Sequence, residues 1–197
     1  MSAEPAPKRA ADKIRETVRD LFYREGIRAV GVDEIVSHAG VTKPSLYRAF
    51  ASKDELAAAY IRDYSRDYFE RFGAVLARHP GDPRAQIMDW LERLQARATT
   101  EGYRGCGITN AVAEHPDHAH PARAAAFENK TELRSLLTAM ARGMGAREPE
   151  VLADGLMLLM EGAYATGQLF GPGGPARHVC RAAEALIASQ VPPAEAR

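Results

Sequence analysis

Residues 32–50 constrain the fold more than any other part of the chain, because two short apolar-periodic segments meet there at a glycine. The first segment has apolar residues at helical spacing, namely Val32, Ile35, Val36 and Ala39. Gly40 can adopt the left-handed conformation that ends a helix, and Pro44 suits the first turn of the next one. Leu46 and Phe50 lie four residues apart and give the second segment one apolar side. The spacing therefore predicts two short helices joined by a tight turn.

The flanking segments supply the third helix that such a pair needs to form a core. An upstream helix is predicted to end at Gly26, with Ile14, Val18, Leu21 and Phe22 on one face. Downstream, Ser52 and Glu55 have the Ser-x-x-Glu spacing of a capping box, so a further helix begins just after Phe50. The three-helix unit closes within about fifty residues, which is in the size range of a small domain.

The polar side of the second helix carries hydroxyl, phenol and cationic side chains, namely Lys43, Ser45, Tyr47 and Arg48. Such groups can reach DNA phosphates and base edges, which favours a DNA-binding helix-turn-helix. Any two short helices around a glycine give a similar pattern, so the flanking helices are needed to favour this interpretation.

The segment GVTKPSLYRAFASKDEL, with GIRAVGVDEI and the helix before it, resembles the N-terminal domain of TetR-family (tetracycline repressor-like) transcriptional regulators. The resemblance covers residues 9–60 and implies an all-α homodimer: a DNA-binding domain (residues 8–53) and a larger helical domain for effector binding and dimerisation (residues 54–191). It implies DNA contacts from Thr42, Lys43, Ser45, Tyr47 and Lys53. Pro44 and Arg48, on the second short helix, are added to this predicted DNA-binding set.

Two positions depart from the family pattern. Gly31 and Val32 stand where a threonine more often caps the second helix, so a side-chain cap is in doubt. Asp33 lies near the DNA groove, where its charge would repel phosphate unless it accepts a hydrogen bond from a cytosine amino group or pairs with a cation.

Charge and cysteine content agree with a DNA-binding protein of the cytoplasm. The net charge is zero, but residues 1–53 hold ten Lys/Arg against seven Asp/Glu, and residues 54–197 hold sixteen against nineteen. Ordinary scatter of surface charge could also give this polarity. Two cysteines make no disulfide framework, and the apolar run at residues 155–160 is too short to cross a membrane.

The last two predicted helices, residues 150–170 and 177–190, suit an isologous four-helix dimer interface. The predicted interface residues are Leu152, Leu156, Leu159, Ala163, Val179, Ala183, Leu186 and Ile187. In a monomer the same residues would pack on their own domain.

A long fourth helix, from Ser52 to about His79, carries a stripe of aromatic side chains. With residues of later helices it suggests a pocket for a medium-sized organic effector, held by stacking and one or two hydrogen bonds. The predicted lining is Tyr64, Tyr68, Phe72, Trp90, Leu94, Asn110, Phe127 and Met160. Ordinary core packing explains the same pattern equally well.

No catalytic motif or cofactor site is predicted. The GPGGPA segment at residues 171–176 follows a helix rather than a strand, and its prolines remove amides that a dinucleotide would need. His115, Asp117, His118 and His120 could bind a metal, but a solvated loop is favoured and no metal site is predicted. Cys106 could be a sensing thiolate, although a packed cysteine is more common.

The sequence thus predicts a repressor that leaves a palindromic double-stranded DNA operator when a small organic effector binds. The alternative is a DNA-binding protein that is independent of effectors or controlled by a protein partner. The effector, the operator and the sign of regulation stay open at this stage.

Overall fold

The computed structural model describes residues 9–192, and within them it is built from α-helices without strands. The sequence-based prediction of an all-α fold is therefore confirmed, although residue 8, the predicted domain start, lies outside the described residues. The helices are α1 (Ala10–Glu25), α2 (Val32–Ala39), α3 (Lys43–Ala49), α4 (Lys53–Leu76), α5 (Pro83–Ala98), α6 (Gly107–Glu114), α7 (Pro121–Gly143), α8 (Pro149–Phe170) and α9 (Val179–Gln190), with short 3₁₀ turns at Gly171–Gly173 and Pro175–His178.

Helices α1, α2 and α3 pack around a small apolar core. Ile14 and Val18 of α1 meet Ile35 of α2 and Leu46 of α3, and all four side chains are buried. Phe50, which follows α3, is also buried, and its backbone N–H donates to Leu46 O at 2.8 Å. The predicted three-helix unit is confirmed.

The turn between α2 and α3 follows from its residue types. Gly40 has φ 60° and ψ 41°, the left-handed conformation that glycine adopts at low cost. Thr42 caps α3 by accepting a hydrogen bond from the Ser45 backbone N–H at 3.3 Å, and Pro44 occupies the first turn. The N-cap of α2 is Gly31, which makes no side-chain cap, as its departure from the family pattern suggested.

Outside the three N-terminal helices, helix α8 packs against α5, α7 and α9. Small residues allow these close approaches. A Cβ added to Gly167 would lie 2.8 Å from the Ala98 carbonyl oxygen of α5, and one added to Gly155 would lie 2.7 Å from a methyl group of Leu186 on α9. In the described part of the chain, no helix combines the length and the apolar character needed to cross a membrane.

The Gly167 contact predicts opposite effects of two glycine-to-alanine substitutions. Gly167→Ala should lower the free energy of unfolding by about 1–3 kcal/mol, because backbone atoms of Ala98 must move. Gly73→Ala, at an open and exposed position of α4, should raise it by about 0.5–1 kcal/mol through helix propensity. Urea unfolding of both variants measures the difference, and equal effects would contradict the tight α5–α8 packing.

Candidate DNA-binding surface and adjoining cleft

The outer side of α3 presents the side chains that the sequence assigned to DNA. Thr42, Lys43, Pro44 and Arg48 are exposed, and half of the Tyr47 side chain is exposed. Ser45 is partly buried, and its hydroxyl lies 3.0 Å from the Thr42 hydroxyl, so part of its hydrogen-bonding capacity serves the helix cap. The surface can meet phosphates through the phenol and the cations, and base edges through the helix N-terminus.

Asp33 pairs with a cation of the same surface. Its Oδ1 lies 2.7 Å from Lys43 Nζ, and this hydrogen bond and charge raise the pKa of Lys43 above its ordinary value. Both side chains are largely exposed, so the pair is readily exchanged for other partners. Of the two possibilities raised for Asp33 by the sequence, the pairing with a cation is the one seen in the protein.

Lys53 is engaged within the protein. Its ammonium donates to the Arg28 carbonyl oxygen at 3.3 Å, and burial lowers its pKa. In this structure Lys53 ties the first turn of α4 to the loop between α1 and α2. An ammonium has three N–H donors, so this bond does not exclude the predicted phosphate contact, which stays a prediction.

A second contact joins the same loop to α6. The Arg28 backbone N–H donates to Glu114 Oε2 at 2.8 Å. Gly26, at φ 94°, leaves the room for this carboxylate, since a Cβ there would lie 3.0 Å from Glu114 Oε1. One residue of the loop thus has both backbone polar groups held, one by α4 and one by the C-terminal end of α6. The contact spans 86 residues of sequence, and no local pattern announced it.

The histidines after α6 extend this junction. The rings of His115 and His120 stack with centroids 3.8 Å apart, and His120 Nε2 lies 3.4 Å from Asp54 Oδ1 at the start of α4. Burial and the neighbouring His120 lower the pKa of His115. Within residues 9–192, no group of His, Cys, Asp and Glu side chains is arranged to hold a metal ion.

The predicted effector pocket is only partly assembled. Tyr68, Phe72, Trp90, Leu94 and Met160 are buried together, but their rings fill the space: Trp90 lies 5.0 Å from Tyr68 and 4.9 Å from Phe72 between centroids.

The other three predicted lining residues point elsewhere. Phe127 is 73% exposed on α7, so its placement in an interior pocket was wrong. Asn110 donates to the Arg104 carbonyl oxygen at 2.6 Å, in the loop before α6. Tyr64 faces a different space, the cleft between α1 and α4.

This cleft has a volume of about 780 Å³, within the usual range for ligand sites. One wall is the polar side of α1, the other is α4, and Arg97 of α5 contributes at its edge. Arg15 and Arg19 of α1 reach across it to Asp63 and Asp67 of α4 at 2.5 and 2.7 Å. The sequence analysis did not identify this site, because its parts lie on three separate helices.

The residues assigned to a dimer interface lie largely inside the protomer. Leu152, Leu156, Ala183 and Ile187 have no exposed surface, so they pack between α8 and its neighbours and cannot touch a second chain. The partly buried Leu186 packs on Gly155, within the same chain. Ala163, Val179 and the partly buried Leu159 instead line a shallow groove of about 230 Å³ between α8 and α9. The exposed large apolar side chain at that groove is Leu158, at 72%.

Cys106 is buried at the N-terminal end of α6. Its sulfur lies 3.7 Å from Lys130 Nζ, which also forms an ion pair with Glu161 at 2.5 Å. The thiol is 2% exposed, which matches the packed cysteine that the sequence favoured over a sensing thiolate.

A capped seven-residue helix, exposed on its polar side and set on two supporting helices, defines a helix-turn-helix DNA-binding domain. Comparison with known proteins identifies its family. The model of the family described as bacterial regulatory proteins, tetR family, matches residues 14–60. The crystal structure of a TetR-family transcriptional regulator from Streptomyces coelicolor has a TM-score of 0.86 and 29% identity, with 93% of this chain and 97% of that chain covered. Residues 14–60 are thus identified as a TetR-family N-terminal domain, and the whole fold is similar to that of the Streptomyces coelicolor regulator.

Two curated relatives match less than half of the chain. An uncharacterized HTH-type transcriptional regulator from Mycobacterium tuberculosis is 35% identical over 91 residues, which are 46% of this chain and 41% of the relative. The HTH-type transcriptional repressor KstR2 from Mycolicibacterium smegmatis is 30% identical over 74 residues, which are 38% of this chain and 35% of the relative. The match thus spans less than half the length of these relatives.

The histidine junction predicts a pH-dependent stability. Because the pKa of His115 in the folded protein lies below its ordinary value of 6.5, its contribution is complete above that pH and is lost as pH falls through the folded-state pKa. The urea midpoint should therefore fall between about pH 7.5 and 5.5, and His115→Gln should reduce the fall. His118→Gln, at an exposed position of the same loop, is the control. An unchanged pH dependence in His115→Gln would contradict this assignment.

Proposed function

We propose that the protein is a dimeric transcriptional repressor whose affinity for a palindromic double-stranded DNA operator is lowered by a small organic effector. The observation that carries DNA recognition is the exposed face of α3, in which Lys43, Tyr47 and Arg48 surround a capped helix N-terminus. The match of residues 14–60 to the family and the repressor named among the relatives support the same function.

On DNA binding, Lys43 and Asp33 would each exchange the other for a partner on the DNA or for water. A phosphate or a guanine edge takes the ammonium, and Asp33 is left to accept from a cytosine amino group or to remain solvated. The pair therefore favours operators in which the base facing it is a guanine, which accepts from Lys43, or a cytosine, which donates to Asp33. Tyr47 and Arg48 have no comparable constraint and suit phosphate contacts that fix the register.

Dimerisation supplies the second recognition helix that a palindrome requires. The groove between α8 and α9 is lined by Leu158, Gly162, Ala163, Val179 and Ala182, which are apolar or small. Small residues let a second copy of these helices approach closely, and an isologous pairing would bury Leu158. Two recognition helices about one helical turn of DNA apart then read two half-sites.

The effector response depends on how the DNA-binding helices are attached to the remainder of the chain. The attachments include the two backbone bonds at Arg28, the Arg15–Asp63 and Arg19–Asp67 ion pairs, and the apolar contacts of α1 with α4. The hydroxyl of Tyr23 on α1 adds hydrogen bonds to the loop before α6. A ligand that favours a different α1–α4 arrangement changes the spacing of the two recognition helices and shifts the population away from the DNA-bound form.

The alternative, a regulator that answers to no small molecule or to a protein partner, is favoured by one observation. The rings of Tyr68, Phe72 and Trp90 fill the interior that the sequence suggested as a pocket. The two hypotheses differ in whether a ligand site exists elsewhere in the chain.

The DNA-binding proposal is tested by selecting an operator from random duplexes with the purified protein and measuring affinity for it. Lys43→Ala should cost about 1–3 kcal/mol and relax the preference at one operator position. Asp33→Asn should raise affinity for all duplexes alike, because it removes a negative charge that repels phosphate and competes for Lys43. Arg84→Ala, on α5, is a surface-charge control. Wild-type operator affinity in a folded Lys43→Ala, Tyr47→Ala variant would contradict the assignment.

Leu158→Glu should convert the dimer to a monomer, since a buried charge in an apolar interface costs several kcal/mol. Sedimentation velocity at micromolar concentration measures this. Phe127→Glu, which places the same charge at an equally exposed apolar position on α7, should leave the dimer intact. A wild-type protein that sediments as a monomer would remove the basis for a palindromic operator.

A further inference from the structure

The cleft between α1 and α4 has an aromatic inner wall. Tyr23, Tyr60 and Tyr64 line it, and the ring of Tyr64 lies 6.5 Å from that of Tyr23 and 6.1 Å from that of Tyr60. Tyr23 is held in place at its far end, where its hydroxyl donates to Gly105 O and accepts from Arg104 N–H, both at 3.3 Å. The three rings form a preorganised surface on which a flat apolar group can stack.

One hydroxyl of this wall lacks a partner. Tyr60 is 3% exposed, and its hydroxyl is buried without a hydrogen bond from any described residue. It lies against Gly107, where an added Cβ would come within 2.7 Å of it. The hydroxyl therefore faces α6, and Tyr60 contributes its ring to the wall of the cleft. Burial raises the pKa of Tyr60 and of Tyr64, so both remain neutral donors at physiological pH.

Several of the charges that line the cleft are paired with one another. Asp63 and Asp67, the carboxylates of the α4 wall, contact Arg15, Arg19 and Arg66. Asp20 pairs with Arg24.

Arg97 is partly buried, and among residues 9–192 it forms no ion pair with a carboxylate; its electrostatic neighbours are the phenols of Tyr103 and Tyr64. A guanidinium beside an aromatic wall selects an anion with a planar, two-oxygen head.

We propose that this cleft binds an aromatic carboxylate, with the ring stacked on Tyr23 and Tyr64 and the carboxylate held by Arg97. Its role as the effector site rests on the proposed function, whereas the binding itself does not. The site lies between a helix of the DNA-binding unit and the helix that leads out of it. A ligand there acts directly on their separation.

The contacts that a ligand must displace are weak. Arg15 and Arg19 are 42% and 68% exposed in their side chains, so their ion pairs across the cleft exchange readily with solvent or with another anion. The apolar contacts of α1 lie on its opposite face, around Ile14 and Val18. Occupation of the cleft can therefore tilt α1 against α4 without opening the core.

The experiment is isothermal titration calorimetry of the full chain with 1-naphthoate, its neutral analogue 1-naphthamide, and the cation benzyltrimethylammonium. We expect saturable binding of 1-naphthoate in preference to both analogues. Arg97→Met should weaken it by about tenfold or more, the value of a charge-assisted hydrogen bond pair. Arg97→Lys should weaken it less, and Arg93→Met, one turn earlier on α5, should leave it unchanged. Circular dichroism and the urea midpoint confirm that each variant is folded.

Four results overturn the proposal: no heat at millimolar 1-naphthoate, equal binding of the amide, preferred binding of the cation, or binding that a folded Arg97→Met retains in full. Operator affinity measured with and without 1-naphthoate separates this inference from the proposed function. If the protein binds an operator but does not bind 1-naphthoate, the ligand site alone is refuted. If it binds 1-naphthoate in an Arg97-dependent way but binds no operator, the repressor function is refuted and the ligand site is supported.

Discussion

The shortness of α3 is the constraint on which the DNA-binding surface depends. A helix of seven residues is far below the length at which a helix is stable alone in water, so its conformation must come from its surroundings. Leu46 supplies the apolar anchor, Thr42 closes the N-terminal end, and Phe50 fixes the exit into α4. Each exposed side chain on α3 therefore holds its direction only because residues on the opposite side are buried against α1 and α2.

The same dependence connects α3 mechanically to contacts that lie far from it. Helices α1 and α2 carry α3 as a unit, and that unit meets the remaining protein through a narrow junction at residues 26–31 and through the α1–α4 cleft. A small change at either place moves the whole unit, because its core is close-packed and resists internal deformation. Control of DNA affinity through the junction needs no rearrangement within the DNA-binding domain.

The local elements could be predicted from the sequence because their signals are local: the Gly40 turn, the Thr42 and Ser52 caps and the apolar period of α1. Periodicity identified the apolar residues of α8 and α9, but it could not tell which of them are buried within the protomer and which lie on its surface. Leu159 was assigned outward, yet the neighbouring Leu158 is the exposed residue. The cleft could not be predicted, since Tyr23, Tyr64 and Arg97 come together only through tertiary packing. Domain limits and the roles of individual site residues stay predictions.

The loop between α1 and α2 is attached to α4 and α6 through the backbone of Arg28, which affects how the sequence of this loop can vary. The N–H is held by Glu114 and the carbonyl oxygen by Lys53 at 2.8 and 3.3 Å, and neither bond depends on which side chain residue 28 carries. A substitution there would lose the 3.5 Å bond from the Arg28 side chain to the Glu114 carbonyl oxygen but keep both backbone bonds, with proline as the exception because it has no N–H to donate. The attachment can thus persist in homologues while the residue at its centre changes, and a sequence alignment would record it only through Glu114, Lys53 and the small residue at Gly26.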